Sequence, residues 1–193
     1  MRKLVLAMSL SLDGFVCGPN GEIDWIFKYG SDDAEAWIIE NLRQVGAHLM
    51  GSRTYEVMAA YWPTSDSPIA PPMNEIPKVV FSKKGVLTAS ASDTDHARSW
   101  NDARVLTGDL AAEIAALKME PGKDLAAHGG ATFAQNLIAT GLIDEFRFMV
   151  FPVALGKGVP LFSQVDRPLA FDVVSAIKFD GPVVLVYKPR MID

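Results

Sequence analysis

Between Asp124 and Val153 the chain reads DLAAHGGATFAQNLIATGLIDEFRFMVFPV. Few backbones fit that run other than strand, glycine pair, helix, strand. Leu125 to Ala127 is short, small and apolar, as suits a strand buried on both faces. Gly129 and Gly130 supply backbone freedom and let another group reach the main chain without a Cβ in the way. A helix from about Ala131 to Thr140 follows, ended by Gly141 in the C′ position. Its first N–H groups lack intrahelical partners and point outward with the positive end of the dipole. An anion over Gly130, Ala131 and Thr132 would therefore be bound by the backbone itself. The alternative is a βαβ connection whose glycines serve only tight packing, and a glycine pair alone does not decide between the two.

The rest of the chain continues the alternation. Leu4 to Ser9 is a near-continuous apolar run that predicts a central strand. Leu10 to Gly30 is punctuated by Asp13-Gly14, Gly18-Pro19-Asn20-Gly21 and Gly30, which predicts a long irregular segment. Ser31 or Asp32 caps a helix expected to run to about Val45, with Gly46 beyond its end. Ala47 to Met50 reads as a short strand, and Gly51-Ser52-Arg53-Thr54 opens a helix through about Ala60. Five prolines from Pro63 to Pro77 predict a surface excursion with no regular element. Strands are expected at Val79 to Ser82, Arg104 to Leu106 and Phe146 to Val153, with a helix at Leu110 to Met119. Ala170 to Phe179 and Val183 to Lys188, joined by Asp180-Gly181-Pro182, predict a closing antiparallel hairpin. The fold class is thus α/β, a mainly parallel central sheet with an antiparallel C-terminal edge hairpin and helices on both faces.

Composition narrows the functions. The 193 residues, 49% of them hydrophobic, suit one globular domain over residues 1–193. A net charge of −5 without clustered Lys and Arg argues against a nucleic-acid or anionic-membrane surface. Cys17 is the only cysteine, which precludes an internal disulfide and a cysteine-rich zinc site and suits a reducing cytoplasm. His48, His96 and His128 have no spacing suggestive of a metal site, so no metal is expected; His128, beside the glycines, could touch a phosphate or ribose. No stretch approaches the ~20 apolar residues of a membrane span, and the N-terminal segment lacks a long apolar core and a cleavage site. The apolar strands at Phe146 to Val153 and near the C-terminus offer more hydrophobic surface than one small sheet must bury, which leads us to expect a homodimer.

Ligands of such sheets bind outside the carboxyl ends of the strands. Three segments arrive there with groups for an anion: Met50-Gly51-Ser52-Arg53-Thr54, Phe81-Ser82-Lys83-Lys84-Gly85 and the glycine pair. A dinucleotide carrying a third phosphate on its adenosine ribose would use all three.

The arrangement resembles the dihydrofolate-reductase-like fold, and more closely the reductase domain of bacterial bifunctional riboflavin-biosynthesis deaminase-reductases and their stand-alone relatives. The likeness rests on Ser9-Leu10-Ser11-Leu12-Asp13-Gly14-Phe15, Leu49 to Tyr55, Val80 to Lys83, His128-Gly129-Gly130-Ala131, and Pro152 to Phe162. It implies an NADPH-dependent reductase that transfers hydride to a small pterin- or pyrimidine-like substrate, of the 5-amino-6-(5-phosphoribosylamino)uracil reductase type. The alternative is a nucleotide- or flavin-binding module that keeps the cleft without turnover. Carried over by the resemblance, Gly51, Ser52, Arg53 and Thr54 face the adenosine, with Ser82 and Lys83 near its 2′-phosphate. Gly129, Gly130, Ala131 and Thr132 hold the pyrophosphate. Ala7, Met8 and the strand end at Val150 to Pro152 border the nicotinamide. The dihydrofolate reductases place a carboxylate near the start of the first helix, which here makes Asp32, Asp33 and Glu35 the candidate acids. Asp13, Phe15, Trp25 and Phe151 are the candidate substrate contacts, with Phe27, Trp37 and Trp62 as further aromatics for the pocket; for Asp13, fixed between the first strand and the long loop, the alternative is to organise that loop through side-chain-to-backbone bonds. Where the riboflavin reductases often carry a lysine after Asp-Gly, this chain has Phe15 and Val16, which points to an uncharged or more apolar ligand. The His-x-Glu and Pro-Cys-x-x-Cys pattern of the deaminase is absent.

Overall fold

Leu4, Leu6, Met8 and Leu10 alternate with Val5, Ala7 and Ser9 along the first strand, and both sets are largely covered, so this strand runs through the middle of a sheet. The structure, a computed structural model, describes residues 1–85, 87 and 94–190. Within them the chain forms β1 (Leu4–Ser11), β2 (Phe15–Cys17), α1 (Asp24–Lys28), α2 (Asp32–Leu42), β3 (Val45–Gly51), α3 (Ser52–Tyr61), α4 (Ala70–Glu75) and β4 (Lys78–Phe81). It continues with α5 (Arg98–Asn101), β5 (Arg104–Leu106), α6 (Leu110–Met119), β6 (Asp124–His128), α7 (Ala131–Ala139), β7 (Glu145–Phe151), β8 (Val159–Pro160), β9 (Ala170–Lys178) and β10 (Val183–Arg190).

Eight strands form one sheet in the order β5-β4-β3-β6-β1-β7-β10-β9. The six from β5 to β7 are parallel, while β10 runs antiparallel to both β7 and β9. The expected mixed α/β sheet with its antiparallel edge is therefore present. On one face Ile114 and Leu117 of α6 and Phe133, Ala134, Leu137 and Ile138 of α7 pack on Leu4, Leu6, Leu49 and Leu125. On the other, Leu42, Tyr55, Ala59, Met73 and Trp100 gather over Met50 and Val80. Trp25 and Ala34 join Met149, Phe151, Val184 and Val186 there. No helix among the described residues is long and apolar enough to cross a membrane.

Three expectations change. The helix expected to reach Val45 stops at Leu42, and Gly46 lies inside β3 rather than beyond a helix end. A Cβ on Gly46 would stand 2.9 Å from both the Lys123 carbonyl and the Arg2 guanidinium, so the glycine admits Arg2, whose Nε–H donates to Lys123 O at 2.5 Å. The proline-rich segment is ordered: residues 62–64 make a single 3₁₀ turn, and Pro71 and Pro72 sit in the first turn of α4, where a missing N–H costs nothing. Buried Asn74 holds that segment in place. Its Nδ2 donates to Trp62 O at 2.9 Å, and its Oδ1 accepts from Trp100 Nε1 at 2.8 Å. The loop expected to be irregular from Leu10 to Gly30 contains β2 and α1, and β2 pairs with β8 in a small second sheet.

Candidate active site at the carboxyl ends of the strands

Strands β4, β3 and β6 are immediate neighbours, so the three anion-suited segments lie side by side along one edge of the sheet. Helices α3 and α7 both start there, on Gly51 and Gly130, and neither N-cap has a side-chain hydrogen bond. The contrast is α6, whose Asp109 accepts from Ala112 N–H at 3.0 Å. Two helix starts on adjacent strands thus keep their first N–H groups clear of side-chain caps. Gly129 and Gly130 have φ of +31° and +76°, the left-handed region that L side chains resist. A Cβ on Gly130 would also fall on Thr54 Oγ1, and one on Gly51 would stand 3.3 Å from Phe133 Cβ. The glycines therefore serve close packing of α3 against α7 and leave an open backbone at the same spot. Arg53, Thr132 and Lys83 are exposed around this edge, and Arg53 has no ion-pair partner among the described residues. Ser82 is buried, its N–H donating to Leu106 O at 3.0 Å.

Between α2 and the same sheet a cavity of about 180 Å³ opens, extending from Val45 and Asp124 at the amino ends of β3 and β6 to His128 at the carboxyl end of β6. It exists because β1 and β6 present Ala7, Ser9 and Ala126 to it, side chains too small to meet the helix. Trp37 and Asn41 of α2 border it opposite Arg147 and His128. Arg147 donates to Asn41 Oδ1 and to Glu145 Oε1, each at 2.7 Å, which fixes the guanidinium at the cavity wall. A shallower depression of about 410 Å³ lies between α4 and α5 and includes none of the strand-end residues.

The candidate acids are placed elsewhere. Asp32, Asp33 and Glu35 are not among the residues bordering the cavity, and Asp32 and Asp33 are exposed. Asp33 accepts from Ser31 Oγ–H at 2.5 Å, Ala34 N–H at 2.9 Å and Asp180 N–H at 3.1 Å, which clasps the start of α2 to the β9–β10 turn. The Ser31 hydroxyl and those amides hold its carboxyl below the ordinary range, the reverse of what a proton donor needs. Two expected substrate contacts also move into the core. Trp25 and Phe151 are 5% and 2% exposed and pack edge to face with centroids 5.4 Å apart. Such a pair contributes about 0.5–1.5 kcal/mol beyond its buried area and supports the site from behind. Phe15 is half-buried against Gly158, and Phe27 stands exposed on α1. Of the aromatics, Trp37 is the one on the cavity.

Asp13 works as a loop clasp. Its carboxylate accepts from Ser11 Oγ–H at 2.7 Å, Gly156 N–H at 2.7 Å and Leu155 N–H at 3.1 Å. The Ser11 hydroxyl and those amides lower its pKa from 3.8 to about 2. Because the folded value lies below the unfolded one, the clasp is at full strength above pH 4 and is lost as pH falls toward 2. Asp13→Asn should therefore speed hydrogen exchange at the Leu155 and Gly156 amides about tenfold at neutral pH while leaving β1 protected. Equal protection in the variant would show that the loop does not depend on this carboxylate.

A feature that the sequence reading missed lies just behind the glycine turn. His48 on β3 is fully buried, and its Nδ1 stands 2.7 Å from His128 Nε2, with the rings 4.6 Å apart. Nearby, Lys78 is 2% exposed, donates to Ile76 O and Ser99 Oγ at 2.5 and 2.6 Å, and lies 4.3 Å from the Trp100 ring centroid. Burial lowers all three bases, His48 well below its ordinary value, His128 to about 4 and Lys78 to about 7. The histidines are 80 residues apart, so only knowledge that β3 and β6 are neighbours could have paired them.

Comparison with known proteins bears on this site. The family model described as the RibD C-terminal domain matches residues 2–185. The uncharacterized protein YyaP of Bacillus subtilis (strain 168) is 32% identical over 186 residues, covering 96% of this chain and 93% of its own. Among solved structures, a Shewanella sp. PV-4 protein named for riboflavin biosynthesis superposes with a TM-score of 0.76 at 24% identity, over 98% of this chain and all of that one. Dihydrofolate reductase from Enterococcus faecalis, solved with NADP(H), superposes with a TM-score of 0.59 at 13% identity, over 98% of this chain and 97% of that one, a likeness of fold.

Proposed function

This chain belongs to the RibD C-terminal domain family, and from that premise we propose that it is an NADPH-dependent reductase of a small pterin- or pyrimidine-like ring. The observation that carries the proposal is the pair of glycine-capped helix starts, α3 and α7, on adjacent strand ends with no side-chain caps. The residues present fit a dinucleotide. Positive φ at Gly129 and Gly130 leaves the backbone open where a pyrophosphate would lie, and the N–H groups of Ala131 and Thr132 would meet it. Arg53 and the hydroxyls of Ser52 and Thr54 would hold the adenosine side, with Ser82 and Lys83 at the 2′-phosphate. NADPH, when bound, supplies the hydride. The chain's own work is orientation and exclusion of water: Ala7 and Ser9 leave room for a ring, Trp37 offers it a flat face, and the Asp13 clasp holds the loop over β1. The same reading includes a homodimer, for which Val173 and Val174 on edge strand β9 offer exposed apolar surface, 65% and 49% accessible. Sedimentation tests that part.

Titration with NADPH, followed by its fluorescence, tests the cofactor. Micromolar binding with preference over NADH supports the proposal, and no binding of either coenzyme removes it. Binding without NADPH oxidation across a panel of pterins and aminopyrimidines would leave the alternative, a nucleotide-binding module without turnover. Lys83→Ala together with Ser82→Ala should lower NADPH affinity about tenfold or more and leave NADH affinity within about twofold, since one charge-assisted hydrogen bond is worth about 1.5–3 kcal/mol. An equal loss for both coenzymes would remove the 2′-phosphate from this strand end.

A further inference from the structure

The two bonded histidines define which way a proton is carried at the cavity wall. His48 Nε2 faces the Pro72 carbonyl at 3.3 Å, and a carbonyl only accepts, so the proton of the neutral His48 ring sits on Nε2. Its Nδ1 then carries a lone pair, which the bond to His128 must fill with the Nε2–H of His128. Neutral His128 is left with a bare lone pair on Nδ1. No described residue bonds that nitrogen, and His128 is only half-buried. The His128 ring borders the cavity under α2, one residue before the glycine turn. Burial favours the neutral rings, and the only charged neighbour of His48 in this network is the cation Lys78.

We infer that His128 is locked by His48 and Pro72 as a hydrogen-bond acceptor facing the cavity under α2, and that it selects a neutral planar ring by an N–H at that edge. The inference rests on the reading of this cavity as the substrate site. The ligand class is a lactam or aminopyrimidine ring. A carbonyl at the same edge sets lone pair against lone pair, and an N-methyl group has no proton to give while still burying the Nδ1 lone pair. Arg147 donates to Asn41 and Glu145 and has no acceptor atom, so the ligand's donor edge is left to His128. His128 would be a binding residue of this site, and His48 a positioning residue acting through it.

Long-range 1H–15N spectra of the labelled protein read the tautomers directly, and uracil against 1,3-dimethyluracil, which keeps the ring and its carbonyls but has no N–H, reads the selection. The expected result is His128 protonated on Nε2 alone, a shift of its Nδ1 resonance on adding uracil, and binding of uracil about tenfold tighter than that of 1,3-dimethyluracil. In His128→Leu that preference should fall to within about twofold. In His48→Leu the His128 tautomers should mix and the preference should narrow. A proton on His128 Nδ1 in the unliganded protein overturns the inference, as does an Nδ1 resonance indifferent to both uracils or an undiminished preference in His128→Leu. NADPH binding, measured on the same samples, is separate. Its absence alongside the expected selection would end the reductase reading and leave this inference standing.

Discussion

Replacing Gly130 by valine should cost the protein about 2–4 kcal/mol of stability and at least about tenfold in NADPH affinity. Two causes add. A β-branched side chain at φ +76° carries backbone strain of about 1–3 kcal/mol, and its Cβ would collide with Thr54 Oγ1, pushing α3 from α7. Urea unfolding and fluorescence titration measure the two losses. The double variant Gly130→Ala, Thr54→Ala, measured against Thr54→Ala alone, separates them, because in that background the collision with the hydroxyl is gone and only the strain at the glycine differs. Recovery of about half the stability, with NADPH affinity still low, is the expected pattern for an open backbone that binds the anion. Full recovery of affinity would make the glycine a packing device and nothing more.

The second large effect is a stability that climbs from pH 4 to pH 10. Lys78 has a folded pKa of about 7 against 10.5, and His128 one of about 4 against 6.5, while His48 lies well below its ordinary value. In each case the unfolded chain binds the proton more readily, so stability rises with pH through the interval between the two values. The Lys78 contribution is complete above about pH 10.5 and lost as pH falls toward 7. The histidine contribution is complete above about pH 6.5 and lost as pH falls toward 4. By linkage the Lys78 interval is worth about 5 kcal/mol and the His128 interval about 3 kcal/mol. Urea unfolding at pH 5, 7 and 9 should give rising midpoints. Lys78→Met should flatten the upper interval, and the double variant His48→Gln, His128→Gln the lower one. A midpoint constant from pH 5 to 9 would mean that these bases gain compensating protons or water on folding.

The sheet was legible in the sequence wherever local signals and tertiary demands agree. Helix α6 runs from Leu110 to Met119 as read, because Asp109 caps it and a glycine-bearing turn stops it. The glycine pair, the closing hairpin and α7 followed from the same agreement. Gly46 misled because a glycine past a periodic run ordinarily ends a helix, while here Arg2 needs its missing Cβ. The prolines at positions 71 and 72 misled because first-turn proline is compatible with a helix that only buried Asn74 makes worthwhile. At the site, backbone features were readable and side-chain partnerships were not. Asp13 was legible as a loop organiser from its place between the first strand and the long loop, but its partners, like the Asp180 amide that Asp33 accepts from, come from more than 140 residues away and carry no local signal. Trp25 and Phe151 carry no mark that distinguishes a wall from a foundation. The pairing of His48 with His128 needed the strand order.

That strand order also governs how the chain comes to be folded. β1 is made first, yet its ladder partners are β6 and β7, with Leu4 against Leu125 and Ser11 against Phe151. Its apolar length has no place in the sheet until β6, with Leu125 as the partner of Leu4, has emerged. Closing so long a loop precedes any reward from the contact, which places the central ladder late and makes refolding slow for a chain of this size. In the interval β3 and β4, separated by α3 and α4, can pair with each other, while the first strand stays dependent on whatever shields it from other nascent chains.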